Sequence, residues 1–87
     1  MKRYWFKFAG KHYSELPFGI IMGCGVTAIN YEDAINIIRE KVFQGGELPQ
    51  IITLIEDIDI SLLEENHVRL NIGNIFPRGI WFPLGYN

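Results

Sequence analysis

The sequence has one cysteine, no long hydrophobic run and no glycine-rich phosphate motif, and each absence excludes a class of protein. Cys24 has no second cysteine with which to form an internal disulfide. No run approaches the roughly 20 apolar residues of a membrane span, and the N-terminus lacks the apolar core of a signal peptide. Neither a dinucleotide-binding glycine motif nor a P-loop is present. We therefore expect a soluble, cytoplasmic protein.

Charge is also scarce, and it is unevenly distributed. The net charge is −2, which gives no general attraction to duplex nucleic acid. Residues 1–12 nevertheless carry four cations and no acid, whereas residues 13–87 carry four basic and ten acidic residues. Two interpretations are open, a solvated outer face on the first strand or a small anion-binding edge. The four cations are Lys2, Arg3, Lys7 and Lys11.

Apolar residues are plentiful for the length of the chain. Eighty-seven residues, 48% of them hydrophobic, predict one domain, residues 1–87, with its own core. Two Trp, four Tyr and six Phe are more rings than one small core hides comfortably. We therefore expect self-association as a homo-oligomer, because obligate interfaces resemble a core cut in half.

Two strands are predicted before the helix. Residues 3–9 alternate, so Trp5 should lie on the exposed side of a half-buried strand. Its inward residues are Tyr4, Phe6 and Phe8, and its outward residues are Arg3, Trp5 and Lys7. After a turn-like link over residues 10–17, residues 18–29 predict a second, antiparallel strand. Its glycines at 19, 23 and 25 indicate a bend, or two short strands hinged at residues 23–25.

The helix has the clearest signals. Asn30 can cap its start, with Asp33 at capping-box spacing, and an apolar stripe runs from Tyr31 through Ile38 to Val42. The glycine pair at 45–46 and the following Pro49 predict its end.

The stretch from Ile51 to Asp59 is expected to be the central strand. Its first five residues are mostly β-branched and apolar, which is typical of a strand covered on both faces. One helical turn over residues 61–64 and a fourth strand over residues 67–72 follow. The apolar tail, residues 73–87, must pack on its own domain, a neighbouring chain or a ligand.

The predicted fold class is therefore α+β, an antiparallel sheet of three to five strands in the order β-β-α-β-β with one main helix on one face. Strand order stays open. A right-handed β-α-β unit with the second and third strands in parallel is the alternative.

No catalytic set, metal site or cofactor site is predicted. Cys24 could be a nucleophile with His12 or His67 as its base, but a small buried cysteine between two glycines fits the strand-like flanks better. Carboxylates could recruit a divalent metal, but a strand end emerging into water explains them better. These carboxylates are Glu56, Asp57 and Asp59. Both histidines stand singly, without zinc-ligand spacing.

The tail carries the best functional lead. Arg78 lies between a proline and a glycine, beside Trp81 and Phe82, a pattern that can clamp a phosphate while rings stack on a base. The surface could extend to the first strand through Trp5, Lys7 and Arg3. The structural alternative is that Trp81 and Phe82 close the core, with Arg78 outside it.

These patterns predict a non-catalytic protein that captures a small anionic or nucleotide-like ligand, a role that would suit a sequestering anti-defence protein. The alternative is a protein–protein interaction module, of the immunity, inhibitor or antitoxin type, which docks through exposed aromatic and acidic side chains. An enzyme is the third and least favoured hypothesis, because no set of nucleophile, base and orienting group can be assembled from the sequence.

Overall fold

The computed structural model describes residues 1–10 and 15–86, and it confirms an α+β fold with one main helix. The elements are β1 (Lys2–Phe8), β2 (Cys24–Ala28), α1 (Tyr31–Lys41), β3 (Ile51–Glu56) and β4 (Gly79–Phe82). The sheet is antiparallel throughout, in the order β3-β1-β2-β4. The parallel pairing of β2 and β3 is therefore wrong, because β1 lies between them. Lys11 and His12 lie outside the described residues.

The predicted central strand is at the edge of the sheet. β3 pairs with β1 along one side, and no described residue forms a strand on its other side. Ile52 is 60% exposed and Leu54 41% exposed. Both faces stay open because α1 packs on β2 and β4, at the far side of the sheet. A charge at Leu54 would therefore not be fully buried, and we expect Leu54→Asp to leave the protein folded.

β1 takes the central place, with both faces covered. Tyr4, Phe6 and Phe8 pack against the buried face of α1, as their alternation predicts. Trp5, expected on the exposed side, is only 4% exposed, because the tail supplies a second hydrophobic cluster on that side of the sheet. The chain therefore buries aromatic rings on two sides of one sheet, which lessens the surplus of rings from which self-association was predicted.

The helix begins as predicted. The Asn30 side chain accepts from the N–H of Asp33 at 2.8 Å, and the Asp33 carboxylate accepts from the N–H of Ile29 at 3.0 Å. These two bonds satisfy backbone donors that a helix start leaves free. Beyond the helix, the N–H of Gly45, at φ 84°, donates to the carbonyl of Arg39.

β2 is shorter than the predicted strand, which also included residues 18–23. Residues Ile20–Met22 form a 3-10 turn, and Gly23 follows with φ 127°. The glycines of this segment make room for indole rings. A Cβ on Gly23 would lie 2.8 Å from Cε2 of Trp5, and one on Gly25 would lie 2.6 Å from Cε3 of Trp81. The groups that approach these two glycines are therefore side-chain rings.

The predicted fourth strand over residues 67–72 is wrong. Local hydrogen bonds hold this segment in turns, since Asn71 Nδ2 donates to the His67 carbonyl at 2.7 Å and the N–H of Arg69 donates to the Glu64 carbonyl at 2.9 Å. Residues Arg69–Asn71 form a 3-10 turn. The nearby predicted turn exists as Ile60–Leu62, capped by Asp59.

The fourth strand is instead β4, within the tail. It pairs with β2, and its outer side is held by the N–H of Gly73, which donates to the Trp81 carbonyl at 2.7 Å. The tail therefore packs on its own chain. In the described part of the chain, no helix has the length and apolar character that crossing a membrane requires.

Candidate functional site

Three of the predicted ligand-binding residues come together, but they contact one another. The Trp5 and Trp81 rings stack with centroids 6.0 Å apart, and Phe82 lies 5.6 Å from Trp5. None of the three is more than 4% exposed. They form the core of the second hydrophobic cluster, so they fit the structural alternative, and a direct contact with a ligand stays a prediction for them.

Arg78 lies apart from these rings, on the helix side of the sheet. Its Nε and Nη2 donate to the two carboxylate oxygens of Asp33 at 2.9 and 2.5 Å. The guanidinium and the N–H of Ile29 lower the pKa of Asp33 to about 2, and the carboxylate in turn raises the pKa of Arg78. The fork that would clamp a phosphate is therefore engaged by a carboxylate of α1.

Lys7 and Arg3 lie on the other side of the sheet. Lys7 lines a groove of about 440 Å³ that runs beside β3, next to Trp5 and opposite Asp57 and Asp59. The Arg3 Nε is buried without a hydrogen-bond partner among residues 1–10 and 15–86. Five of the six residues predicted from the sequence are thus divided among the second hydrophobic cluster, the groove beside β3 and the helix side of the sheet, and Arg3 lines neither the groove nor the cleft described next.

A different set of residues lines a second cavity, an apolar cleft between the turn before β2 and the tail. Its volume is about 410 Å³, within the range of small-molecule sites. Of the predicted residues only Phe82, which is 1% exposed, lines it. The full lining is Phe18, Gly19, Met22, His67, Asn71, Phe82, Pro83 and Leu84.

One wall of the cleft is the turn that carries Phe18. The N–H of Ile20 donates to the Pro17 carbonyl at 3.1 Å, and the Tyr86 hydroxyl donates to the Phe18 carbonyl at 2.7 Å. Gly19 adopts φ 80°, and a Cβ there would lie 2.9 Å from Pro83. The backbone is therefore fixed against the tail, yet the Phe18 ring is 86% exposed beside the cleft that it lines.

The opposite wall is polar. The Asn71 amide bonds the His67 carbonyl, and the His67 Nδ1 lies 2.9 Å from the Glu64 carboxylate. Desolvation opposes ionisation of Glu64, but hydrogen bonds from Asn66 and His67 outweigh it, so the pKa of Glu64 is lowered. Within the described chain, the His67 Nε2 and the Asn71 Oδ1 have no protein partner. Both residues line the cleft, so these two atoms are available to a ligand that enters it.

Sequence reasoning missed this cleft. Two of its polar residues, His67 and Asn71, are four residues apart, and Glu64, which contacts His67, precedes it by three. These spacings are typical of a helical turn. The alternation of apolar and polar residues over residues 67–72 predicted a strand instead and concealed these spacings.

The residues considered as a nucleophile or as metal ligands are buried or take part in other contacts. Burial raises the pKa of the Cys24 thiol to about 12, so little thiolate is present at neutral pH. The Asp59 carboxylate accepts from the Ser61 hydroxyl at 2.7 Å and from its N–H at 3.0 Å. Glu56 lies 3.7 Å from Lys2. Over residues 1–10 and 15–86, no group of His, Cys, Asp or Glu could hold a metal ion.

Comparison with protein-family models, with curated proteins and with solved structures found no match for this chain. Its function is therefore inferred from its own geometry.

Proposed function

We propose that this protein binds a small, flat, largely apolar ligand of the nucleobase type in the cleft beside Phe18, without catalysing a reaction on it. The observation that carries the proposal is the Phe18 ring, which is 86% exposed at the edge of a cleft of about 410 Å³. Exposed aromatic rings offer a stacking surface to any base, because every base has a π-face. Single exposed rings are common on proteins, so exposure alone would not indicate a binding site. The position of Phe18 beside a cleft supports one.

The polar residues of the cleft would orient the ligand. A base presents donors and acceptors along one edge, and His67 Nε2 and Asn71 Oδ1 are free to bond them. The apolar remainder of the cleft would exclude water from those bonds. A site of this kind needs no general acid or nucleophile, which agrees with the buried, protonated Cys24.

The charges favour a base over a phosphate as the recognised group. None of the described residues that line the cleft is Lys or Arg. Arg78, the clamp suggested by the sequence, bonds Asp33 on the helix side, and Lys7 lies in the groove beside β3. A nucleoside and its monophosphate should therefore bind about equally, and inorganic phosphate should not bind.

Saturation-transfer NMR on the four common nucleosides, their monophosphates and inorganic phosphate tests this. Phe18→Ala should weaken nucleoside binding by roughly fivefold to a hundredfold, since stacking on an aromatic ring is worth about 1–3 kcal/mol per base. Phe76→Ala is the matched control, because Phe76 is also 74% exposed but does not line the cleft. Binding that needs the phosphate, or that survives Phe18→Ala, would contradict the proposal.

A further inference from the structure

The outer edge of β3 is open, and apolar side chains surround it. Ile52 is 60% exposed, Leu54 41% and Ile55 40%. Proteins usually protect such an edge with a lysine, a proline or a covering segment. β3 contains neither lysine nor proline, and no described residue pairs with its outer side. A register shift near its start leaves Thr53–Glu56 as the regular ladder.

The backbone of this edge has unpaired donors and acceptors. The N–H of Ile58 donates to the Arg3 carbonyl at 3.1 Å, so Arg3 turns its backbone towards β3. Alternate residues of a strand share one side, and the odd-numbered residues of β1 pair with odd-numbered residues of β3. The even-numbered residues of β3, Leu54 and Glu56, therefore direct their N–H and C=O groups outward, where an added strand can bond them.

The segment that contains this edge is acidic, although Lys2 of β1 lies 3.7 Å from Glu56. Residues 42–68 contain no Lys or Arg and six acidic residues. Three of these acids line the groove beside β3, where Lys7 is the single cation among the described lining residues. The three are Asp57, Asp59 and Glu64. The groove is otherwise largely apolar, with Trp5 and Ile58 among its lining residues.

We propose that the β3 edge binds an extended basic segment of a partner protein, which adds to the sheet as a fifth strand. The charge favours a basic partner over a second copy of this chain, because a second β3 carries no Lys or Arg to pair with Asp57 and Asp59. On the groove side of the sheet, alternate side chains of the partner are Lys or Arg and face the acids. On the helix side they are apolar and cover Ile52 and Leu54. Met22 lines both this groove and the cleft beside Phe18, but no residue of β3 lines the cleft.

Synthetic peptides of alternating valine and lysine test the proposal with the intact protein. We expect the basic peptide to bind and to slow hydrogen exchange at the amides of Leu54 and Glu56, as followed by NMR. A peptide with glutamate in place of lysine should not bind, and neither should the lysine peptide with alternate backbone amides methylated. Binding should weaken strongly at about 1 M salt, where the Debye length is about 3 Å.

Three variants locate the peptide site. Asp57 adopts φ 52°, which asparagine tolerates, so Asp57→Asn removes the charge and keeps the backbone. It should weaken the peptide about twofold to fivefold, the size of an exposed ion pair. Glu40→Gln, on α1, and Phe18→Ala, in the cleft, should leave peptide binding unchanged.

Equal binding of the basic, acidic and methylated peptides would overturn the proposal, as would the absence of binding by all three. A dimer in sedimentation velocity that Leu54→Lys converts to a monomer would also overturn it, because the edge would then bind a second copy.

Discussion

Adding one methyl group at Gly25 should destabilise the fold, because the Trp81 ring occupies the space of that side chain. The added Cβ would lie 2.6 Å from Cε3 of Trp81 and closer still to two neighbouring ring carbons. The ring has little freedom to retreat, since it is 2% exposed and stacks on Trp5. Overpacking of this kind costs about 1–3 kcal/mol. In a domain of this size each kcal/mol lowers Tm by about 4–8 °C, so Gly25→Ala should melt roughly 4–24 °C below the wild type.

Urea and thermal denaturation followed by circular dichroism measure this loss. Gly73→Ala is the matched control, because its nearest neighbour is the flexible end of Leu84 at 3.3 Å, and it should cause no comparable loss. Trp81→Phe combined with Gly25→Ala should recover part of the stability, with a coupling free energy of about 0.5–3 kcal/mol. A Gly25→Ala protein as stable as the wild type, or a strictly additive double variant, would refute the packing of Trp81 on Gly25.

Three further predictions follow from the described contacts. Leu54→Asp should fold and lose about 1 kcal/mol or less in urea titration, because Leu54 is 41% exposed at an edge; an unfolded product would contradict the edge position of β3. The pKa of Asp33 is lowered from 3.8 to about 2, so its contribution is complete above about pH 3.8 and lost as the pH falls through 2. Asp33→Asn should therefore be less stable than the wild type at neutral pH, and equally stable near pH 2 in urea titrations. Cys24 should resist alkylation by iodoacetamide at pH 8 in the folded protein and react fully in urea, and rapid labelling of the folded chain would show that the thiol is accessible.

The element order and the helix could be predicted from the sequence because their signals are local. The side chains of Asn30 and Asp33 accept hydrogen bonds from backbone N–H groups within four residues of them at the helix start. The alternation of β1 identified its inward aromatic residues. What could not be predicted was which segment covers which face. The apolar run of β3 is typical of a central strand, but its position depends on α1 packing over β2 and β4.

Long-range packing also explains the errors at Trp5 and in the tail. The flanking Arg3 and Lys7 made Trp5 look exposed, whereas β4, more than 70 residues away in the chain, covers it through Trp81. Proline and glycine around β4 concealed a strand whose residues 80–82 are all buried. Residues 67–72 alternate like a strand, but hydrogen bonds between nearby polar groups form turns instead.

The candidate site was predictable only in its residue types. Aromatic rings from the tail do take part, since Phe82 lines the cleft. The exposed ring, however, comes from Phe18, and the polar groups come from a segment that was assigned to a strand. No periodicity connects these segments, because the cleft exists only where the turn before β2 meets the tail.

Native mass spectrometry after exposure to a metabolite extract tests the central claim most directly. The wild-type protein and Phe76→Ala should both carry a small additional mass, and that mass identifies the ligand class. Phe18→Ala should lose it while keeping its fold. An extract that leaves the wild type bare, or a mass that Phe18→Ala retains in full, would contradict the assignment of the cleft as the binding site.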